Sequence, residues 1–345
     1  MKRRAGACLL ALVAMLALPA ASREDEPPEP IPVRIGVPEP TNLQFMNFWV
    51  AQGAGLFEDE GLDVELVSPA MPAQISQLLL QGQVDVAVIM PPIYLGVIAQ
   101  QHPVRLFANL LANDPINLIV DENVAKSLDL SATAPLPERL DAIRGLRIGV
   151  AQEASNRLRA LFATVGMDAD QDVEIVPLHG EDQIPALSDG TVDALYTHTP
   201  FLEEALVDLQ AFMLVNQSSG EVPEMSRLQI HGLMATQSTI DGNPEALLRV
   251  TRAVYRAQKL IRSNPNAAVD AVLASGVPGL LEPRVEALIG IYGPAIPRTP
   301  LVLPSSVVRT AELWEGRPNH PDFTQIDVRD YITNRFAWEA IRTVR

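Results

Sequence analysis

The amino-acid sequence predicts an α/β protein built from two α/β lobes that two crossover strands join. Strand-like and helix-like patterns alternate from residue 33 to residue 90, and a similar order recurs from residue 146 to residue 199. Apolar stretches separate these two units. With 345 residues and 48% hydrophobic composition, the chain is long enough to bury two modest cores.

The first unit is predicted to fold as strand, helix, strand, helix and strand. Its strands are an apolar run at residues 33–37, an alternating pattern at 62–66 and a continuous apolar run at 84–90. Apolar residues at helical spacing occupy 45–51 and 75–79. A continuous apolar run is typical of a strand that is buried on both faces of a parallel sheet.

Short motifs of the first unit return in the second. The run Arg-Ile-Gly-Val occupies residues 34–37 and again 147–150. A second motif matches Gly82, Val84, Asp85 and Ala87 with Gly190, Val192, Asp193 and, one place early, Ala194. Strands of unrelated α/β units also resemble one another, but the common order and length favour two related lobes.

Two apolar stretches, Pro115 to Val120 and Leu228 to Met234, separate the material of one unit from the other. We expect the chain to cross between the lobes there, because two crossovers make a hinge. The predicted division is a first lobe of residues 33–115 and 235–345, a second lobe of residues 116–234, and hinge crossovers near 112–120 and 226–234.

The chain after residue 234 has a helical pattern. Asn243 and Pro244 suit the cap and first position of a helix. Further helices are predicted after Asn264, after Glu282, at Ser305 and near Asp327. We expect all of them to cover the first lobe, because the chain has returned to it.

The N-terminus has the pattern of an export signal. Three basic residues at 2–4 precede an apolar run from Leu9 to Leu18, and cleavage is expected near Ser22. The run is much shorter than the roughly 20 apolar residues that span a bilayer. We therefore predict a signal peptide at 1–22, an acidic, proline-rich leader at 23–32, and no stable membrane insertion of the mature chain.

Cysteine content and charge exclude several classes of function. The single cysteine, Cys8, lies in the predicted signal, so the mature chain has no thiol for disulfides, nucleophilic catalysis, Cys-ligated zinc or iron–sulfur clusters. Removing the three basic residues of the signal lowers the formal charge from −16 to −19. Such an acidic chain is repelled by a phosphate backbone, which argues against nucleic acid as a partner.

Five segments together resemble the periplasmic binding proteins for nitrate, sulfonates, taurine and thiamine pyrimidine precursors. They are GLFEDEGLDVEL at 55–66, GQVDVAV at 82–88, LRIGV at 146–150, GTVDAL at 190–195 and NPEALLRVTRAV at 243–254. The similarity extends over nearly all of the mature chain. It implies the bilobed periplasmic-binding-protein fold of type II, a monomer in the periplasm, and a small-molecule ligand in the cleft between the lobes.

The resemblance also implies an ABC transporter substrate-binding protein, whose partners are a membrane permease and a cytoplasmic ATPase. The chain has no GxxxxGK[ST] phosphate loop, so the energy for transport would come from such partners. Neither a cofactor nor a metal ion is expected.

Ligands of open parallel sheets lie beyond the carboxyl ends of the strands. Applied to each lobe, this rule selects the loops at 38–44, 90–94, 151–156 and 197–199. The candidate ligand-binding residues in these loops are Glu39, Thr41, Asn42, Gln44, Met90, Pro91, Tyr94, Gln152, Glu153, Ser155, Thr197, His198 and Thr199.

Two glutamates in these loops bear on the charge of the ligand. Glu39 and Glu153 occupy equivalent places, and a carboxylate near the cleft opposes an anionic ligand. We therefore favour a neutral or cationic, nitrogen-containing ligand such as a thiamine pyrimidine precursor. The same glutamates also suit the first turn of a helix, so sulfonate, taurine or nitrate binding stays an alternative.

Three candidates also have a purely structural interpretation. His198 could pack against the hinge while Thr199 caps the next helix. Tyr94 could belong to a helix core, and Asn42 could cap its own helix.

The scaffold is also similar to eukaryotic enzymes that make the thiamine pyrimidine from pyridoxal phosphate and a histidine. That chemistry needs a lysine, a histidine and a cysteine-rich iron site. Lys126 and Lys259 are the lysines of the mature chain, and Phe45 stands where the resemblance would place the histidine. HExxH, GxSxG and GxGxxG motifs are absent, so we predict a binding protein and not an enzyme; a ligand-sensing module is a further alternative.

Overall fold

The computed structural model describes residues 29–38, 42–69, 71–151, 154–314, 323 and 326–344. The predicted signal peptide at 1–22 lies outside these residues. Most of the predicted leader does too, but its last two residues, Ile31 and Pro32, already belong to the first strand.

The described residues form ten strands. These are β1 (Ile31–Gly36), β2 (Leu62–Val67), β3 (Val86–Ile89), β4 (Val104–Leu111), β5 (Asn117–Val120), β6 (Arg147–Ala151), β7 (Glu174–Leu178), β8 (Ala194–Thr197), β9 (Phe212–Val215) and β10 (His231–Thr236).

The same part of the chain contains sixteen α-helices. They are α1 (Met46–Gly53), α2 (Leu56–Asp59), α3 (Ile75–Leu80), α4 (Pro91–Ala99), α5 (Glu122–Ser127), α6 (Leu136–Asp141), α7 (Ser155–Ala163), α8 (Ala169–Asp172), α9 (Gln183–Ser188), α10 (Phe201–Asp208), α11 (Gln237–Gly242), α12 (Pro244–Ser263), α13 (Pro265–Ala274), α14 (Glu282–Tyr292), α15 (Pro304–Trp314) and α16 (Arg335–Thr343).

The strands form two five-stranded sheets with the same internal plan. The first has the order β2-β1-β3-β10-β4 and the second the order β7-β6-β8-β5-β9. In each sheet three parallel strands are followed by a strand that runs antiparallel to both of its neighbours, β10 in the first and β5 in the second. The predicted fold of two α/β lobes is confirmed.

The two antiparallel strands are the stretches that the sequence marked as crossovers. Strand β5 covers most of 115–120, and β10 covers most of 228–234. The connections themselves are residues 112–116, between β4 and β5, and residues 216–230, between β9 and β10. Each stretch is apolar because it becomes a buried interior strand of the sheet that the chain has just entered.

A matched ion pair explains why one motif recurs in both lobes. In the first lobe, Asp85 accepts hydrogen bonds from the backbone N–H of Arg34 (2.9 Å) and from its guanidinium. In the second, Asp193 accepts from the backbone N–H of Arg147 (2.8 Å) and from its guanidinium. Each pair ties the first strand of its lobe to the residue just before the third.

The glycine of the repeated motif lies in close packing, so a larger residue there would have to displace the ends of neighbouring side chains. A Cβ atom on Gly149 would lie 2.6 Å from Leu178 and 2.7 Å from Leu195, which are too close for carbon atoms. The equivalent Gly36 faces Ile75 and Val84 in the same way. Both lobes therefore pack a helix or strand side chain directly on the strand backbone at this position.

The sequence had suggested that all C-terminal helices cover the first lobe. In the structure, one of them contacts the second lobe as well. Helices α12 and α13 pack on α1 of the first lobe, but α14 packs on both α13 and α10 of the second. Arg284 of α14 pairs with Glu204 (3.1 Å) and with Asp208 on α10. Helix α14 therefore bridges the lobes, because its apolar face meets a core that continues from one to the other.

Helix α14 also bonds to the first connection between the sheets. The hydroxyl of Tyr292 donates to the carbonyl of Pro115 (3.0 Å) and accepts from the backbone N–H of Thr199 (3.0 Å). Burial raises the pKa of Tyr292 well above its ordinary value, so the hydroxyl keeps the proton that it donates.

A buried carboxyl group lies beside this bridge. Glu203 of α10 is 2% exposed and accepts a hydrogen bond from the hydroxyl of Thr199. Burial raises the pKa of Glu203 to about 7; the hydrogen bond from Thr199 and the charge of Arg284 oppose this rise, and the charge of Glu204 adds to it. The carboxyl is therefore half protonated near neutral pH.

We expect the substitution Asp193→Asn to lower the free energy of unfolding by about 1 kcal/mol at pH 7, because the amide loses charge-assisted bonds to a partly exposed arginine. The hydrogen bond from Arg147 lowers the pKa of Asp193. The carboxylate therefore stabilises the fold above its unfolded pKa of about 3.9, and the stabilisation is lost as pH falls through the lower folded value.

Urea unfolding of both proteins between pH 3 and pH 7 measures this effect. Asp170→Asn is the matched control, because Asp170 pairs with Arg159 while 49% exposed and should contribute a few tenths of a kcal/mol at most. Equal losses in the two variants would contradict a structural role for the pair of Arg147 and Asp193.

We expect Glu203→Gln to remove a pH dependence of stability. The pKa of Glu203 is higher in the folded protein than in the unfolded chain. The protonated carboxyl therefore makes its full contribution to the free energy of unfolding below about pH 4.5, and this contribution is lost as pH rises through about 7. Above pH 7 the variant should gain roughly 2 to 3 kcal/mol relative to wild type. Chemical unfolding between pH 4.5 and pH 8 measures this difference.

Glu204→Gln is the control for the preceding experiment. Its carboxylate is 30% exposed and pairs with Arg284. The difference between Glu203→Gln and wild type must grow with pH, whereas the difference for Glu204→Gln should grow much less, because the charge of Glu204 is the smallest of the causes that shift the pKa of Glu203. A pH-independent difference for Glu203→Gln would show that its carboxyl is ionised throughout.

Candidate functional site

A cavity of about 490 Å³ lies between the two sheets. Loops after β1 and β3 of the first lobe and after β6, β7 and β8 of the second supply most of its wall, as expected for the carboxyl ends of parallel strands. The lining residues are Asn42, Gln44, Met90, Pro91, Pro92, Pro115, Ala151, Arg157, Gly180, Gln183, His198, Thr199, Pro200, Phe201, Ile230, His231 and Trp314.

The structure brings six of the candidate residues together at this cavity. They are Asn42, Gln44, Met90, Pro91, His198 and Thr199. Four others, Glu39, Thr41, Gln152 and Glu153, lie outside the described residues. Contact of any of these ten with a ligand stays a prediction.

Three candidates do not line the cavity. Tyr94 is fully buried in the first lobe, where its hydroxyl donates to the carbonyl of Gln229 (2.7 Å). Thr197 is buried at the end of β8, and Ser155 begins α7. The ring of Tyr94 is therefore part of a helix core, because α4 is apolar on all sides and is covered by the first lobe.

Asn42 and His198 each combine a structural bond with a place on the wall. The side chain of Asn42 accepts from the backbone N–H of Gln44 (2.9 Å) and so caps the short turn at 43–45. Nδ1 of His198 donates to the carbonyl of Thr199 (2.6 Å). These bonds hold the two side chains in place at opposite lobes.

His231 is a cavity residue that the sequence did not single out. It is 2% exposed, and its ring lies 4.8 Å from the ring of Phe45. Burial lowers the pKa of His231 to about 3, and a backbone hydrogen bond with Gln44 only partly opposes this. The imidazole is neutral at physiological pH, and its Nδ1 has no hydrogen-bond partner among the described residues.

Gln183 was missed for a different reason. It is the first residue of α9, after β7, and the carboxyl-end rule was applied only to the first and third strands of each lobe. Gln183 is 3% exposed, and its Oε1 has no partner in the described part of the chain. Extending the rule to the loop after β7 would have found it.

Arg157 supplies the cationic group of the described wall. Its NH1 donates to Oδ1 of the fully buried Asp114 (3.0 Å), and its guanidinium lies 4.9 Å from the ring centre of Trp314. Because Arg157 is paired and His231 is neutral, the described wall carries little net charge. Glu39 and Glu153, whose charges favour a neutral or cationic ligand, lie outside the described residues.

Among the described residues, no group of three histidine, cysteine, aspartate or glutamate side chains lies close enough together to hold a metal ion. None of the described helices has the length and apolar character needed to cross a bilayer.

Three relatives are about a quarter identical to the chain over roughly two thirds of its length. A Haemophilus influenzae protein named for thiamine biosynthesis is 27% identical over 231 residues, which are 65% of this chain and 67% of that protein. The formylaminopyrimidine-binding protein of Halalkalibacterium halodurans is 24% identical over 66% of this chain and 65% of its own length. A 4-amino-5-hydroxymethyl-2-methylpyrimidine phosphate synthase of Aspergillus parasiticus is 23% identical over 64% of each chain.

Solved structures share the fold at lower identity. The aliphatic sulphonate-binding protein SsuA of Escherichia coli superposes with a TM-score of 0.65 at 16% identity, covering 89% of this chain and 93% of SsuA. The desulfurization enzyme DszB has a TM-score of 0.62 at 16% identity, covering 91% of this chain and all of DszB. The same scaffold thus serves binding proteins and an enzyme.

The sequence profile of one family spans most of the chain. It matches residues 26–275, which include both sheets and the long helix α12. By this match, the chain belongs to the NMT1-like family.

Proposed function

We propose that this protein is the periplasmic solute-binding component of an ABC importer. It captures a neutral or cationic, nitrogen-containing small molecule, such as a thiamine pyrimidine precursor, in the cavity between its lobes. Its signal peptide is cleaved on export, and it delivers the ligand to a permease that a cytoplasmic ATPase drives. The names of the thiamine-related relatives support this class of ligand.

The cavity suits a small organic molecule. Its volume of about 490 Å³ lies in the range of roughly 300 to 1,000 Å³ that is usual for such ligands. Asn42 and Met90 from one lobe and Gln183 and His198 from the other face the same space. A ligand would contact both lobes only when they are together, so binding would shift the hinge equilibrium toward closure.

One observation carries the choice of ligand. Two residues that line the cavity, His231 and Gln183, each have a buried acceptor atom with no hydrogen-bond donor among the described residues. The backbone hydrogen bond that raises the pKa of His231 runs to Gln44, so a ring N–H donates to that carbonyl. Since Nδ1 has no partner, Nδ1 is the acceptor of the neutral ring. Oε1 of Gln183 is likewise an acceptor without a donor in the described structure.

A buried acceptor without a donor costs about 1 to 3 kcal/mol, and a ligand N–H can remove that cost. Amino groups of a pyrimidine provide such donors. Nitrate and a deprotonated sulfonate group provide none, which makes these the second choice; taurine has donors only on its ammonium end.

The enzyme alternative lacks support from side chains around the cavity. Lys126 is 68% exposed and pairs with Glu122, and Lys259 lies beside Tyr255, so neither lysine belongs to the described wall. Phe45 packs on His231 where the resemblance would require a histidine. A ligand-sensing role stays a second candidate, which a neighbouring histidine kinase gene would favour over permease and ATPase genes.

We expect a formylaminopyrimidine to raise the melting temperature of the mature protein in a thermal-shift assay, because it binds only the folded state. At 100 times its Kd, the stabilisation would be about 2.7 kcal/mol. Nitrate, ethanesulfonate and taurine at the same concentration should have little effect. A shift with nitrate or a sulfonate, and none with the pyrimidine, would reverse the assignment.

The substitution Gln183→Leu should weaken binding of the same pyrimidine roughly tenfold or more without lowering the stability of the unliganded protein. It removes an acceptor that the described protein leaves unpaired, so nothing is lost until the ligand binds. Isothermal titration and urea unfolding measure the two effects.

Gln258→Leu gives the opposite pattern as a control. Gln258 is also fully buried, but it lies outside the cavity wall and donates to the carbonyl of Asn109 (2.7 Å). We expect this variant to lose stability and keep its affinity. If Gln183→Leu instead loses stability and binds normally, Gln183 is a structural residue.

A further inference from the structure

Arg157 joins three parts of the molecule at one edge of the cavity. It lies in the first turn of α7 in the second lobe, and it bonds to Asp114 in the connection at 112–116. Its guanidinium covers the ring of Trp314 at the end of α15, a helix that packs on α4 of the first lobe. Asp114 is held in turn by the backbone N–H of Ile116 (2.9 Å).

The ion pair between Arg157 and Asp114 is incomplete. Nε of Arg157 and Oδ2 of Asp114 are both buried, and neither has a hydrogen-bond partner among the described residues. The pair of Arg147 and Asp193 differs, because there both Nε and a terminal nitrogen of the arginine bond to the carboxylate. Among the described residues, the guanidinium of Arg157 therefore makes fewer hydrogen bonds to its carboxylate than that of Arg147 does.

A buried N–H of a charged guanidinium lowers stability when it has no acceptor. An acceptor bound at Nε would remove this cost. The side chain is 11% exposed, so bulk water reaches little of it. A bond from a charged donor is also stronger than one between neutral groups. A ligand in the cavity is one source of that acceptor, because Arg157 is part of the cavity wall.

We propose that Arg157 is a ligand-binding residue that also positions the lobes. Its Nε donates to an acceptor atom of the bound ligand, such as a carbonyl oxygen or a ring nitrogen. At the same time NH1 keeps its hydrogen bond to Asp114, and the guanidinium keeps its place over the ring of Trp314. A ligand that completes this set stabilises the arrangement in which α7, the first connection and α15 lie together.

The ligand contact of Arg157 rests on the proposed function and adds a requirement for the ligand. The ligand must offer an acceptor to Arg157 as well as donors to His231 and Gln183. An amide or amidine-like group attached to a ring meets both requirements. A ligand that has only donors would leave the arginine unpaired.

The test measures affinity and lobe separation in the full mature chain. Gln83→Cys in the first lobe and Ser131→Cys in the second introduce spin-label sites at exposed positions, and the mature chain has no other cysteine. Pulsed electron resonance then gives the distance between the labels, with and without a formylaminopyrimidine as probe. Urea unfolding checks that each variant is folded.

Arg157→Lys is the informative variant, because lysine keeps the charge but has neither Nε–H nor the plane that stacks on Trp314. We expect it to lose roughly tenfold or more in affinity for the probe and to close less at saturation. Arg159→Gln is the matched control on the same helix. Arg159 pairs with Asp170 within the second lobe, so its loss should change neither measurement.

The positioning role is tested separately from the ligand. Without probe, Arg157→Gln and Trp314→Leu should broaden the label distances toward larger values than those of wild type and Arg159→Gln. Unchanged distances in both variants overturn the positioning role, and unchanged affinity in Arg157→Lys overturns the ligand contact. If wild type binds no pyrimidine probe, the proposed ligand class fails, while the ligand-free distances still decide the positioning role.

Discussion

The arrangement of the molecule depends on two strands that each enter a sheet immediately after the chain has crossed between lobes. Strand β5 lies between β8 and β9, and β10 lies between β3 and β4. Because each is hydrogen-bonded on both sides, the connection ahead of it is anchored at both ends. The carboxyl ends of the parallel strands in both lobes are thereby brought to the same space, and the cavity lies there.

The wall of this cavity contains polar atoms that a protein interior normally satisfies. Nδ1 of His231, Oε1 of Gln183 and Nε of Arg157 are buried, and none has a partner among the described residues. Each unpaired atom lowers stability, and a ligand in the cavity could supply the missing partners. Under the proposed function, two acceptors and one charged donor call for a ligand with complementary donors and an acceptor, which is a more specific description than size or charge provides.

The lobes are linked by more than the two connections. Helix α14 bonds to the second lobe through Arg284 and to the first connection through Tyr292, and α15 reaches the cavity at Trp314. Movement of the lobes would therefore have to break or stretch contacts of the C-terminal helices as well as bend the hinge. The balance between open and closed states would be set partly by residues outside the connections.

Local sequence patterns indicated the parallel strands of both lobes, the two crossover strands, the C-terminal helices, the repeated Arg-Ile-Gly-Val motif and the strand-end loops, because each depends on neighbours within a few residues. They also located six cavity residues, since strand ends can be read from the sequence. Only the tertiary structure decided that His231, Gln183, Arg157 and Trp314 meet at the cavity, that Tyr94 is core, and that α14 contacts both lobes. These facts depend on contacts between residues far apart in the chain, which no local period encodes.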